Sequence, residues 1–402
     1  MKKNVGIKKA NSLVFFVLKL FIRPFLFIKY RFKFDTKSSK KIKRPCLILA
    51  NHTTVIDQFG LSMGFNFGIN YVATETLFRH GFWSKLMVAV VRPIPYNKGS
   101  SDIIAVRNMF SVIQQGGSVA MFPSGNRSFF GDECKIVSGI GKLVKRLSVP
   151  LVLVQFRGGF NTIPRWKRKN NRGKMIGTVV NIIEKDELSK LTNEEVDDII
   201  QKALNFNEFD YNSKVQIKFK GKHRAEYLES VLFYCPQCDC MTGLYSHGND
   251  FICKNCKMQV SINETGFFDK VNNADKIPNT VLEWSKLQLE YIKKFDFSPY
   301  KNKPLFYDEN VQFSKGERAK KEHFLANGKI ELYEDKIKVC DKDFYLHEIT
   351  LTIQGVRKLT IYKDEEVYAV LTPYRINTTK YMICGYHLRN KKLDIKEDYY
   401  GY

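Results

Sequence analysis

The sequence predicts an α/β domain built on a mainly parallel sheet with flanking helices, followed by a small cysteine-rich ribbon and a C-terminal antiparallel β domain. Three observations carry this expectation. Continuous short apolar runs alternate with helically spaced segments between Pro45 and Ile183; two C-x2-C pairs fall close together at 235–256; and short alternating strands separated by tight turns fill the last seventy residues or so. A chain of 402 residues, 44% hydrophobic and 13% aromatic, is long enough for two or three such domains, each with its own core.

The first segment, 1–40, is set apart by charge. The chain carries 65 Lys and Arg against 41 Asp and Glu, a net +24, and residues 1–45 alone hold fourteen of the cations with a single acid, Asp35. Such a surplus favours anionic partners and says nothing of fold. Within it, SLVFFVLKLFIRPFLFIKY (12–30) is strongly apolar but interrupted by Lys19, Arg23 and Pro24. It is too broken for a bilayer span and lacks the uninterrupted core and cleavage site of a signal peptide. The expectation is a segment lying in the headgroup layer of an anionic membrane surface, on its cytoplasmic face, as a monotopic or peripheral anchor. The bland alternative is a packed helix with a solvated basic face. With no export signal the expected compartment is reducing, so the nine cysteines are thiols or metal ligands before they are disulfides.

Residues 41–228 are expected to form the α/β domain. CLILA, YVAT (71–74), SVAMF (118–122), LVLVQF (151–156) and MIGTVVNII (175–183) read as buried strands. Segments around 55–68, 81–91, 101–115 and 136–147 have helical spacing, and 184–230 is helical and mixed. A ribbon follows at 229–265. The last domain, 266–402, opens with the helical VLEWSKLQLEYIKKF and continues with KIELYEDKIKV, FYLHEITLTIQG, KLTIYKDEEVYAVL and KYMICGYHL as strands. These strands resemble a pleckstrin-homology-like fold. There is no internal repeat.

The chemistry concentrates where strands end. LILANHTTVIDQFG (47–60) breaks from an apolar strand into Asn51, His52 and, five residues on, Asp57. Five residues are about 140° of helix rotation, so the pair would not share a face of a straight helix. With His52 in the turn and the helix beginning near Thr53 or Thr54, Asp57 can fold back to accept the Nδ1 proton, leaving Nε2 as a base. A capping histidine beside a helix-start acid is the alternative. FPSGNRS (122–128) directly follows the strand SVAM and is glycine-bearing and cationic, a loop suited to holding a phosphate. RPIPYNKGSSD (92–102) precedes a helical stretch, and VPLVLVQF begins the next strand.

Taken in order, NHTTVID, IPYNK, FPSGNRS and VPLVLV resemble the four blocks of the glycerolipid acyltransferase superfamily, which includes bacterial 1-acylglycerol-3-phosphate acyltransferases. The resemblance spans roughly residues 40–185. It implies an acyltransferase-like fold and transfer of a fatty acyl group from acyl-CoA or acyl carrier protein to the hydroxyl of a lysophospholipid, most simply 1-acyl-sn-glycerol-3-phosphate. His52 would be the base and Asp57 its orienting partner. Asn51, Lys98, Phe122, Pro123, Ser124, Gly125, Asn126, Arg127 and Ser128 would form the substrate-binding set, with Arg127 on the acceptor phosphate and Lys98 assisting. Two positions depart from the family pattern: Ser124 stands where glutamate is usual, and Lys98 where arginine is usual. Neither touches the catalytic pair. No GxSxG is present to suggest a serine nucleophile.

Two further features complete the reading. RGGFNTIPRWKRKNNRGK (157–174) holds seven Lys and Arg and no acid, either a solvated loop or a dock for an acidic carrier protein, coenzyme A phosphates or lipid headgroups. Cys235, Cys238, Cys253 and Cys256, as C-x2-C, fourteen residues, C-x2-C, have the spacing of a zinc ribbon, with Cys240 and His247 as nearby substitutes. Four protein ligands leave no open position, so the expected Zn2+ is structural. Rival readings are an acyltransferase for another lysophospholipid, or a non-catalytic zinc protein binding membrane or nucleic acid. No nucleic-acid reader motif appears, and nucleic acid is not the expected partner.

Overall fold

The structure, a computed structural model, describes residues 6–74, 88, 91–96, 103–132, 136, 139–317, 322–364 and 366–396. It divides into two compact units. Met1–Thr162 with Arg172–Phe219 form the first, and Ile163–Asn171 with Lys220–Tyr402 form the second. The ribbon expected at 229–265 and the domain expected at 266–402 therefore lie in one unit, and part of the basic run 157–174 lies in that unit too.

The first unit is organised on a seven-stranded sheet in the order β1-β7-β6-β2-β5-β3-β4. Its strands are β1 (Lys33–Asp35), β2 (Leu47–Ala50), β3 (Ile69–Thr74), β4 (Ile94–Tyr96), β5 (Ser118–Met121), β6 (Leu151–Arg157) and β7 (Ile176–Ile183). All pairings are parallel except β6 with β7. The apolar strands have no polar face because both faces are covered. On one, Leu47, Leu49, Leu151 and Leu153 join a core with Met109 and Val112 of helix Ile103–Gln114, Val144 of Ile140–Leu147, and Val196 and Ile200 of Asn193–Leu204. On the other, Ile48, Ala50, Val152 and Val154 are also buried. The strands β1 and β4, three residues each, escaped the sequence reading because two-residue periodicity has no room to show itself. The helical segment expected around 81–91 falls mostly outside the described residues.

The helix Ser12–Tyr30 is capped by the Asn11 side chain, which accepts from Leu13 N–H at 2.9 Å. It buries Phe15, Leu26 and Tyr30 and turns Leu13, Phe16, Leu20, Phe21, Phe27 and Ile28 to solvent, Leu13 and Phe21 being about 70% exposed (70% and 71%). Among the described residues no helix is long and apolar enough to cross a membrane.

The second unit holds two antiparallel sheets. The four-stranded one, β11-β10-β9-β8, is made of β8 (Leu244–His247), β9 (Asp250–Cys253), β10 (Gln259–Ile262) and β11 (Phe268–Asn272). The seven-stranded one runs β15-β14-β13-β12-β18-β17-β16. Its strands are β12 (Phe306–Glu317), β13 (His323–Leu332), β14 (Lys336–Val339), β15 (Lys342–Tyr345), β16 (Thr350–Gln354), β17 (Lys358–Lys363) and β18 (Glu366–Leu371). The helix Val281–Lys294 serves both. Trp284 meets Phe251 and Phe268 of the small sheet at centroid distances of 5.3 and 5.5 Å and donates its indole N–H to Tyr234 O at 2.7 Å. Ile292, two turns on, enters the core of the large sheet.

One expectation is overturned here. KYMICGYHL is not a strand but the heart of a helix, Thr379–Lys392. Tyr381, Met382, Ile383, Cys384, Tyr386 and Leu388 are all buried in the core of the seven-stranded sheet. An element buried on nearly all sides shows neither the two-residue nor the 3.6-residue period, and its aromatic and β-branched residues then favour the wrong choice.

Candidate active site

The site is built from two loops that leave the carboxyl ends of neighbouring parallel strands, β2 and β5, where an open α/β sheet presents ligand-binding residues. Asn51 ends β2. Its side chain is buried and closes a reciprocal pair with the backbone of β6, Nδ2 donating to Phe156 O at 2.9 Å and Oδ1 accepting from Phe156 N–H at 2.6 Å. The structure thus gives Asn51 a structural employment: it pins the strand end from which His52 projects.

His52 and Asp57 meet. The Nδ1 of His52 lies 2.9 Å from Asp57 Oδ2; the aspartate side chain is fully buried, and the histidine side chain keeps 18% exposure. The same carboxylate accepts the backbone N–H of Thr53 at 2.6 Å and of Thr54 at 2.8 Å, and the hydroxyl of Thr54. A carboxylate can only accept here, so the ring proton resides on Nδ1 and Nε2 is the basic nitrogen. Asp57 is also the first residue of the helix Asp57–Met63, where a negative side chain is favoured by the helix dipole. The two threonines were missed in the sequence reading. The signal that would have found them is the Thr54-x-x-Asp57 spacing of a helix-start capping box.

The loop 122–128 closes over this pair. The ring of Phe122 stacks on that of His52, centroids 4.1 Å apart and planes 17° from parallel, and Ser128 N–H donates to His52 O at 2.7 Å. Gly125 N–H returns to Phe122 O at 3.0 Å, forming a tight turn in which Gly125 has φ +65°, a left-handed conformation that favours glycine. Pro123 and Ser124 are buried, and the Ser124 hydroxyl donates to Asn126 O at 3.0 Å. Arg127 is half-buried. Burial pulls its pKa below the ordinary guanidinium value and the nearby Asp57 carboxylate opposes that pull; a guanidinium stays charged throughout the physiological range. The structure therefore brings His52, Asp57, Phe122, Gly125 and Arg127 together at the strand ends. Lys98 lies outside the described residues.

A second cluster lies in the other unit. The sulfur atoms of Cys235, Cys238, Cys253 and Cys256 all lie within 4.8 Å of one another, with Cys235 to Cys256 and Cys238 to Cys253 both at 3.8 Å. Each C-x2-C pair sits on a tight turn whose next residue, Asp239 or Lys257, has positive φ (56° and 60°). A tetrahedral site with metal–sulfur bonds of about 2.3 Å has sulfur–sulfur edges of roughly 3.8 Å, so the four thiols fit such an ion. Cys240 and His247 stand outside the group; the Cys240 sulfur instead accepts from Asn255 Nδ2 at 2.9 Å.

Of the basic run, residues 163–171 belong to the second unit. Trp166 is buried there with its N–H on Arg224 O at 3.1 Å, Arg165 donates to Gly355 O at 3.1 Å, and burial beside Arg224 pushes the Lys167 ammonium down to about 8.

Residues 31–157 match the family model described as Acyltransferase. The match lies within the first unit, which thus carries an acyltransferase-like domain. Among solved structures, the chain is similar to the 1-acyl-sn-glycerophosphate (LPA) acyltransferase PlsC from Thermotoga maritima, with 18% identity and a TM-score of 0.41 over 47% of this chain and 76% of that one. No curated protein is matched.

The Asn51 pair makes a direct prediction about stability. Asn51→Ala leaves the Phe156 N–H and C=O buried without these partners and should lower unfolding free energy by about 1–3 kcal/mol, read from urea denaturation. An unchanged midpoint would show that the β2–β6 junction does not depend on it.

Proposed function

We propose that this protein transfers a fatty acyl group from acyl-CoA or acyl carrier protein to the free hydroxyl of a lysophospholipid, most simply 1-acyl-sn-glycerol-3-phosphate, at an anionic membrane surface. The observation that carries the reading is the His52–Asp57 pair held at the strand ends of an acyltransferase domain. His52 Nε2 takes the proton of the acceptor hydroxyl as its oxygen bonds to the thioester carbonyl carbon. The resulting tetrahedral centre collapses, the carbon–sulfur bond breaks, and the departing thiolate takes the proton back from His52. Asp57 keeps its hydrogen bond to Nδ1 throughout and stabilises the transient imidazolium. Arg127, cationic beside the exposed Gly125 turn, is the proposed partner of the acceptor's phosphate, with Lys98 as its assistant from the second sequence block.

Membrane delivery falls to the N-terminal helix. Its exposed Leu13, Phe16, Leu20, Phe21, Phe27 and Ile28 recur at helical spacing among lysines and arginines, a pattern suited to lying in the headgroup layer of anionic lipid. The four-cysteine group is proposed to hold Zn2+, supplying folding energy to the ribbon and no catalytic function.

Three outcomes are expected. His52→Ala should abolish product formation, and Asp57→Asn should lower kcat roughly 10³- to 10⁴-fold, when full-length protein is given oleoyl-CoA or an acyl carrier protein thioester with a panel of lysolipids and the products are weighed. Substantial turnover by His52→Ala would remove it as the base. Elemental analysis of protein purified without added metal should find about one zinc per chain, and chelation should disorder the ribbon while the acyltransferase sheet persists; metal-free folded protein would refute the zinc assignment. Replacing Phe16, Leu20 and Phe21 together by serine should weaken binding to anionic vesicles at least about 10-fold, given 1.5–3 kcal/mol for each large apolar side chain fully buried. Unchanged co-sedimentation would put the membrane contact elsewhere.

A further inference from the structure

A buried acid that the mechanism above does not use lies behind the site. Glu208, the first residue of helix Glu208–Val215, is 0% exposed. Its Oε2 accepts the N–H of Gly158 at 3.1 Å, while Oε1 is buried with no hydrogen-bond partner among the described residues. Its own N–H is held by Gly131 O at 2.8 Å, which fixes the helix start. Gly158 lies just beyond β6, has φ +74°, and approaches so close to Lys174 O that a Cβ there would stand 2.1 Å from it. The next residue abuts the catalytic turn: a Cβ on Gly159 would lie 2.3 Å from Thr53 Oγ1 and 3.0 Å from Thr54 Cγ2. Thr53 and Thr54 are the residues whose amides and hydroxyls hold Asp57. A continuous line of contacts thus runs from Glu208 through Gly158 and Gly159 to the two threonines, Asp57 and His52.

We propose that Glu208 is a positioning residue for the His52–Asp57 pair, acting by fixing the Gly158–Gly159 backbone against which Thr53 and Thr54 are packed. This rests on the acyl-transfer reading for its kinetic consequence, though not for its structural one. The ionisation of the group fits the role. Burial pushes it up to about 8, against the pull of the Gly158 and Phe160 N–H groups, so it is a neutral acid at pH 7. Among the described residues, the charged side chains on or next to the segments that touch Glu208 or Gly158 are Asp132, Arg157, Lys174 and Asp210. Arg157 gives Nε to Gln155 at 2.8 Å and lies over the Tyr211 ring, and among the described residues no cation influences Glu208. The folded-state pKa is raised above the ordinary 4.5, so the folded protein holds the extra proton. Stability from this group is therefore lost as pH rises between about 4.5 and 8.

The experiment compares wild type, Glu208→Ala and Glu208→Gln as full-length protein. Activity is measured with oleoyl-CoA and 1-oleoyl-lysophosphatidic acid in mixed micelles from pH 6 to 9, and the Nδ1 proton of His52 is followed by NMR of ¹⁵N-histidine-labelled protein. Glu208→Ala should lower kcat roughly 10- to 100-fold with KM changed little, and the His52 Nδ1–H signal should broaden or vanish. Glu208→Gln keeps the oxygen that accepts from Gly158 and cannot ionise. It should restore most of the rate and the NMR signal, and should lack the alkaline fall that wild type shows near pH 8. Circular dichroism confirms that each variant is folded; if Glu208→Ala unfolds, the Gln pH profile and NMR signal still decide. The proposal is overturned if Glu208→Ala keeps both the rate and the Nδ1–H signal, or if Glu208→Gln retains the alkaline fall. A wild type inactive with every donor and lysolipid would defeat the acyl-transfer reading alone, since the NMR comparison needs no turnover.

Discussion

Everything in the first unit's site depends on satisfying one buried carboxylate. A carboxylate removed from water is tolerated only where hydrogen-bond donors converge on it. Asp57 receives them from Thr53, Thr54 and His52, all within five residues on the same turn. This can happen only if the chain leaves β2 abruptly and coils back before the helix begins. The reciprocal Asn51–Phe156 pair fixes where it leaves, and the Ser128–His52 backbone bond ties the loop after β5 to the same point. His52, Asp57 and the cationic loop are thereby held by backbone anchored in a sheet with both faces buried. A pair placed in this way keeps its geometry without a bound ligand.

The second unit solves a different problem. Its four-stranded sheet is too small to bury much apolar area: Val260 and Ile262 are buried, and Phe251 and Phe268 pack on one tryptophan. Small sheets of this kind gain from an added constraint, and the four converging thiols have a geometry compatible with a metal ion. The seven-stranded sheet carries its own core, closed by the helix Thr379–Lys392. The helix Val281–Lys294 contributes to both, and ribbon and sheet lie within one compact unit.

The buried carboxyl of Glu208 extends the logic of Asp57 outward by one layer. Asp57 has a full complement of donors, whereas Glu208 has two backbone N–H groups and, among the described residues, no cation. The first arrangement suits a group that orients a base, and the second a group whose task is to hold backbone in place. Both sit at helix starts, where a side chain is firmly placed and its environment is dictated by the loops that pack over it.

The sequence by itself determined the α/β character of the first unit, the pairing of His52 with Asp57, and the four-cysteine group. In each case the information is local: apolar runs mark strands buried on both faces, NHTTVID closes on itself within six residues, and C-x2-C turns bring thiols together without help from distant chain. What lay beyond it was non-local. KYMICGYHL became a helix because its surroundings bury it on nearly all sides, which erases the period that would have named it. Asn51 proved to be a clamp because Phe156, a hundred residues away, supplies its partners. Nothing near Glu208 in the chain announces that it will meet Gly158, and residues 163–171 reveal their place in the second unit only through Trp166 and the backbone carbonyls that receive its neighbours. Tertiary structure decided these because a side chain's role follows from what is brought against it, and contacts between distant segments leave no periodic trace in the sequence of either.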